Sequence, residues 1–329
     1  MNRVRCFSLF TLVIVLSSLP LSATVAFDSI WAYLMKGEER FFDTSYPVSD
    51  IGYFGATMNS FGKLVDVPDP AALASFPGKK HLVVAEVTNR ALTHFCLNPA
   101  YPVREQLLGD IVLASKGYDG VQIDFELVSR EDAAHFVSFL VDLKERIGKD
   151  KILSVAVPAR IKAIKDDAYD YKKLARVADT IIVMAYDEHW SGSAAGPVAS
   201  MDWCRRVATY SKKAIGTSKL VMGMPFYGRS WTDNRLAKAY KFSTLDTLLK
   251  EKAIQDIQRR QGVPWFEYQE TVRVKVFYED TASIVQRSMM YRVAGVRAVS
   301  FWRLGQEDPL IWKELSVKVP RLASQQTEN

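Results

Sequence analysis

DGVQIDFE, Asp119 to Glu126, is the stretch whose reading decides the fold. Side chains alternate with period two along a strand, so Gln122, Asp124 and Glu126 share one face while Val121, Ile123 and Phe125 share the other. The apolar face suits a strand packed against helices. The polar face sets two carboxylic acids in a row, and burying acids without purpose is costly. Such a row marks a site of chemistry, a structural ion pair with arginines, or a divalent-cation site; Asp119 has the wrong parity to join a cation site, and no histidine is near.

The neighbouring segments set the fold class. Before the acidic strand runs a helical segment with Pro102 in its first turn, Leu107, Leu108, Ile111 and Val112 on one face, and Gly117 at its end. After it, Ser129 with Asp132 three residues on reads as a capping box. Ala133, Phe136, Val137, Leu140 and Ile147 then form an apolar stripe that Gly148 stops. A helix, strand, helix order implies parallel strands covered on both faces. The rhythm recurs, with candidate strands at Ser29 to Leu34, Asp50 to Ala56, His81 to Val87, Gly120 to Glu126, Ile152 to Val157, Thr180 to Tyr186, Leu220 to Pro225 and Val296 to Trp302. Eight strands alternating with helices fit an α/β chain closed as a (β/α)₈ TIM barrel. The rhythm breaks from Thr232 to Glu279, where a charged helical segment over Leu245 to Arg260 leads into the alternating Thr271 to Phe277. This reads as a small α+β insertion between strands seven and eight.

With 48% hydrophobic and 24% charged residues among 329, the chain is an ordinary globular one, which excludes extended disorder. Arg3 and Arg5 precede an apolar run from Phe7 to Leu19 and small residues through Ala26, the layout of a secretory signal peptide over residues 1–26, cleaved after Ala23 or Ala26. The barrel then covers 27–329. The apolar run falls short of the ~20 residues that span a bilayer, so the expectation is a secreted, periplasmic or cell-envelope protein with no stable membrane anchor after processing. Net charge is +6, lowered by two when Arg3 and Arg5 leave. The basic residues are scattered, which argues against nucleic acid as a partner. His81, His94, His135 and His189 lack zinc-ligand spacing, so neither metal nor cofactor is expected. Cys96 and Cys204 survive processing as either a disulfide or two buried thiols. A monomer is expected.

Catalytic side chains of such barrels stand at the carboxyl ends of the strands. Glu126 is at one such end. IIVMAYDEHW places Tyr186, Asp187, Glu188, His189 and Trp190 at the same rim, MGMPFYGRSW adds Tyr227, Arg229 and Trp231, and SFWRLG adds Trp302. Acids and aromatics converging on one mouth suit a sugar polymer, whose ring faces stack on aromatics while its hydroxyls and amides take hydrogen bonds.

DGVQIDFE, MAYD, PFYGRSW and FWRLG together resemble glycoside hydrolase family 18, the chitinases and related N-acetylglucosaminidases. FYEDTASI followed by GVRAVSFWRLG resembles the bacterial branch with spore cortex-lytic and germination enzymes. The resemblance implies a glycosidase that cleaves β-1,4 linkages in N-acetylglucosamine-containing glycan, peptidoglycan or chitin, by a retaining, substrate-assisted route. Asp119, Asp124 and Glu126 match three acids of the DxxDxDxE pattern, and Gln122 replaces the remaining one. By resemblance, Glu126 is the general acid and base, Asp124 orients the substrate's acetamido group, Tyr186 bonds that group, and Trp302 floors its subsite. Asp187, Tyr227, Arg229, Gln122, Trp190 and Trp231 are candidate substrate contacts. The alternative is a catalytically silent, lectin-like protein on the same fold, against which the presence of Glu126 speaks.

Overall fold

The computed structural model describes residues 24–232, 235–269 and 273–317. Seven strands in succession, β1 (Ser29–Met35), β2 (Asp50–Met58), β3 (Lys79–Glu86), β4 (Gly120–Phe125), β5 (Ile152–Pro158), β6 (Thr180–Met184) and β7 (Leu220–Pro225), are parallel neighbours. A further antiparallel group follows: β8 (Tyr227–Thr232), β9 (Arg235–Lys241), β10 (Gln258–Arg260), β11 (Val263–Gln269) and β12 (Arg273–Phe277). The last barrel strand, β13 (Ala298–Trp302), pairs with β7 on one side and β1 on the other, which closes eight parallel strands into a barrel.

Helices α1 (Arg90–Leu97), α2 (Pro102–Ala114), α3 (Ala133–Ile147), α4 (Tyr171–Val177) and α5 (Met201–Ile215) cover the strands from β3 onward, and α7 (Thr281–Val293) precedes β13. The first two connections carry 3₁₀ turns, Glu39–Phe41 and Pro70–Leu73, in place of helices. Phe136, Phe139, Leu140, Leu143 and Ile147 of α3 are buried against the outward face of the barrel, where Val121, Ile123 and Phe125 project from β4. Asp132 is the residue before α3, and its carboxylate accepts from Ser129 Oγ at 2.7 Å and His94 Nδ1 at 2.8 Å.

On the inward face Trp31, Ile182, Val221 and Ala298 form an apolar cluster, and glycines stand beside the large rings. A Cβ at Gly52 would come within 2.6 Å of the Tyr33 ring, and one at Gly223 within 3.0 Å of Tyr186 and 2.9 Å of the Val183 carbonyl. Both glycines therefore make room for tyrosines that reach the upper barrel.

The antiparallel sheet, with order β9-β8-β12-β11-β10, and helix α6 (Phe242–Glu251) form the unit between β7 and α7. It begins at Tyr227, earlier than the expected Thr232, because the strand run of MGMPFYGRSW is interrupted: Phe226 N–H donates to the Trp302 carbonyl at 3.0 Å, and Tyr227 starts a new strand. The expected helix over Leu245 to Arg260 is likewise corrected. It stops at Glu251, the chain turns through Ala253 in the left-handed region (φ 52°), and Gln258–Arg260 pairs with β11. A core of Leu245, Phe266, Val274, Val276 and Tyr278 holds this unit together.

Residues 1–23, most of the expected signal peptide, lie outside the described residues. Val25–Phe27 form a short parallel pair with Leu315–Val317, with Val25 and Phe27 buried. Cys96 and Cys204 are buried free thiols, both pushed up to about 11 by burial. No helix among the described residues is long and apolar enough to cross a membrane.

Candidate active site

A cleft of about 320 Å³ opens at the carboxyl ends of the barrel strands, lined by Asp124, Glu126, Tyr186, Asp187, Tyr227, Arg229 and Trp302, with Phe54, Val87, Met184, Ala239 and Gln306 completing the wall. Seven of the expected site residues therefore meet in one place although they come from four separate segments.

Strand parity places the two acids. Asp124 is the last inward residue within β4 and is buried; Glu126 follows just past the strand end, opening to the cleft. The backbone at this end is clamped from both sides. Glu126 N–H donates to the Glu86 carbonyl at 2.9 Å. Tyr169 Oη donates to the Phe125 carbonyl at 2.6 Å and accepts from Val128 N–H at 3.0 Å.

Electrostatics divides their roles. Burial, then the charge of Glu126, pushes Asp124 up to about 8. Burial also raises Glu126, and the charge that adds to it is that of Asp187 across the cleft. A protonated Asp124 carries no charge with which to act on Glu126. The pair resists double ionisation, which keeps a proton available near neutrality.

Gln122 is buried beneath Asp124. Its Oε1 accepts from Tyr33 Oη at 2.9 Å, while its Nε2 and Asp124 Oδ1 are both buried without partners. The opposite wall is a tight ionic group. Asp187, in the left-handed region (φ 57°), accepts from Tyr227 Oη at 2.6 Å and from Arg229 Nε and Nη2 at 3.0 and 2.9 Å. Burial opposes the Arg229 charge, but Asp187 outweighs it and raises the guanidinium. Strained backbone held by such bonds is common at functional sites. Tyr186 meets Tyr227 edge-on at 6.3 Å, and burial keeps both phenols protonated. Trp302 lies against Tyr33 at 5.3 Å and edge-on to Phe54 at 4.8 Å, an aromatic floor.

The structure does not bring Trp190 or Trp231 into the cleft. Trp190 is 55% exposed and folds over Gly192 of its own loop. Trp231 shares a strand face with Arg229 but is buried farther along, edge-on to Phe277 and packed with Val263 and Ala195. Tyr33, Phe54 and Gln306 are site residues that the sequence reading missed. Tyr33 and Phe54 lie within expected strands, and inward parity at their upper ends was the available signal. Among the described residues no cluster of His, Cys, Asp and Glu could hold a metal ion.

The family profile described as glycosyl hydrolases family 18 matches residues 110–307. The chain belongs to glycosyl hydrolase family 18. It is built on the TIM barrel that the strands show. Among curated relatives it is 33% identical over 216 residues to the uncharacterized glycosylase YvbX of Bacillus subtilis (strain 168), covering 62% of this chain and 63% of that protein. It is 24% identical over 288 residues to the cortical fragment-lytic enzyme of Bacillus anthracis, covering 80% of this chain and 66% of that enzyme. This family 18 chain thus spans a little under two thirds of the length of these relatives. In fold it resembles the Bacillus cereus spore cortex-lytic enzyme SleL, with a TM-score of 0.80 and 21% identity over 89% of this chain and 75% of that one.

Proposed function

We propose that the protein is a retaining glycosidase that cleaves β-1,4 linkages next to N-acetylglucosamine units in peptidoglycan or chitin, with Glu126 as general acid and then base. The observation that carries this reading is Glu126 at the cleft mouth with its pKa raised, directly above a buried, protonated Asp124. A carboxyl whose pKa is raised, in a pair that retains a shared proton, can donate that proton to the leaving glycosidic oxygen. In a substrate-assisted reaction the acetamido carbonyl oxygen attacks the anomeric carbon as that bond breaks. Asp124 bonds the acetamide N–H once ionised, and Tyr186 bonds its carbonyl. Trp302 offers a ring face for the sugar. Water, deprotonated by the Glu126 carboxylate, then opens the cyclic intermediate with net retention.

Digestion of purified peptidoglycan and of chitin oligosaccharides, with the new reducing-end sugar identified by mass spectrometry and its first-formed anomer by NMR, tests the reading. New N-acetylated reducing ends released as the β anomer are expected. Binding without cleavage by the wild type would instead support a lectin-like role.

The layout of residues 1–26 supports export by a cleavable signal peptide. Cleavage after Ala23 is favoured over Ala26, since it leaves the paired segment Val25–Phe27 whole. A monomer in the cell envelope or outside the cell is the corresponding proposal.

A further inference from the structure

Next to one wall of the cleft stands a positive charge that the chemistry above does not use. β8 and β9 pair antiparallel with Tyr227 opposite Lys241 and Arg229 opposite Ala239. Directly opposed residues project from the same face of a sheet. Tyr227, Arg229 and Ala239 all line the cleft, so Lys241 stands on the cleft-facing side. Its ammonium lies 4.8 Å from the centre of the Phe41 ring and 3.9 Å from the Glu38 carboxylate.

That carboxylate is already engaged by the Arg303 guanidinium. Two cations thus share one anion, leaving one positive charge in excess. Lys241 is the outer of the two, its side chain 37% exposed against 17% for Arg303. The next residue, Phe242, donates its N–H to the Gln306 carbonyl at 3.1 Å, which sets Gln306 beside Lys241. Gln306 lines the cleft, and its Oε1 is buried without a partner. Arg229, the cation that lines the cleft itself, is occupied by Asp187.

We infer that Lys241, with Gln306 beside it, makes the cleft select an N-acetylated glycan that bears a carboxylate, on the sugar or on a substituent attached to it, over a neutral N-acetylglucosamine polymer. The inference rests on the glycosidase reading and names the substrate class of the same cleft. A carboxylate forms a charge-assisted bond with the ammonium that a neutral hydroxyl cannot match. The Gln306 carbonyl accepts an N–H or O–H from the same unit, which satisfies its orphaned oxygen.

The probes are soluble disaccharide-peptide oligomers prepared from peptidoglycan and the same oligomers after amidation of their carboxylates. Binding is measured by calorimetry in the Glu126→Gln background, so that turnover does not enter. The carboxylate form should bind about tenfold more tightly than the amidated form, and this ratio should shrink as salt is raised. Lys241→Met should bring the ratio close to one, and Lys241→Arg should restore most of it. A ratio near one without the Lys241 substitution, or one that survives Lys241→Met, would overturn the inference. The salt dependence of the ratio with Lys241 intact decides the matter should Lys241→Met fail to fold. A charge preference without hydrolysis by the wild type would defeat the glycosidase reading alone, whereas efficient hydrolysis with no charge preference would defeat this inference alone.

Discussion

Gln122 presents its amide nitrogen, unpartnered, on the same strand face as the unpartnered Oδ1 of Asp124, while Tyr33 holds its carbonyl end. An amide can donate or accept here, but it cannot exchange a proton as a carboxyl can. Gln122→Asp would add a negative charge beneath Asp124, and an adjacent like charge keeps protons on both acids to higher pH. The pH profile of kcat should therefore move upward; an unmoved profile in an active variant would contradict the role given to Gln122. Asp124 also links the site to stability. Its folded value of about 8 stands above the unfolded value of 3.8, so the folded state loses stability relative to the unfolded as pH rises between them. Asp124→Asn removes that loss. Its melting temperature should exceed that of the wild type by a margin that is nil below pH ~4, grows to pH ~8 and is constant above. At this scale the sequence was informative wherever period-two parity decides a side chain's direction, as for Asp124 and Glu126. It could not pair Tyr33 with Gln122, because that bond joins positions far apart in the chain and is chosen by barrel closure.

At the scale of elements, the carboxyl end of β4 is held by a residue from the loop before α4. Tyr169 bridges Phe125 and Val128 on either side of Glu126. Tyr169→Phe forfeits both bonds, at about 1 kcal/mol each, and frees the segment that aims the acid. A fall in kcat of about tenfold is expected with KM little changed, since a small misplacement of a catalytic group costs rate before binding. Equal activity would show that the strand alone positions Glu126. The strands themselves were legible: all eight barrel strands were anticipated to within a few residues because each is a short apolar run bounded by turn residues. The insertion was less so. Its helix ends at Glu251 where propensity alone would continue it, because pairing of Gln258–Arg260 with β11 competes for the chain, and such tertiary competition leaves no local mark.

At the scale of the molecule, the insertion is anchored to the barrel by a buried ion pair. Arg287 of α7 is fully buried, donates to both Glu279 oxygens at 3.0 Å, and reaches the Ala199 carbonyl before α5 at 2.6 Å. Removing one member of such a pair strands the other's charge in the interior. Arg287→Met should cost about 3–5 kcal/mol, read as a shift of the urea midpoint, whereas a loss under 1 kcal/mol would show that Glu279 finds solvent or another donor. The convergence of four motifs on one mouth was evident from the sequence once a barrel was assumed. Trp190 and Trp231 show the limit of that reasoning, because a rim residue has room to turn into the cleft or away from it, and loop packing decides which.

The claim that Glu126 carries the chemistry is tested most directly by initial rates of reducing-end release from peptidoglycan and chitin oligosaccharides, wild type against Glu126→Gln, with binding checked in parallel. A loss of about 10² to 10⁴ in rate with binding retained is expected when a positioned proton donor is removed. Equal rates in the two proteins would contradict it.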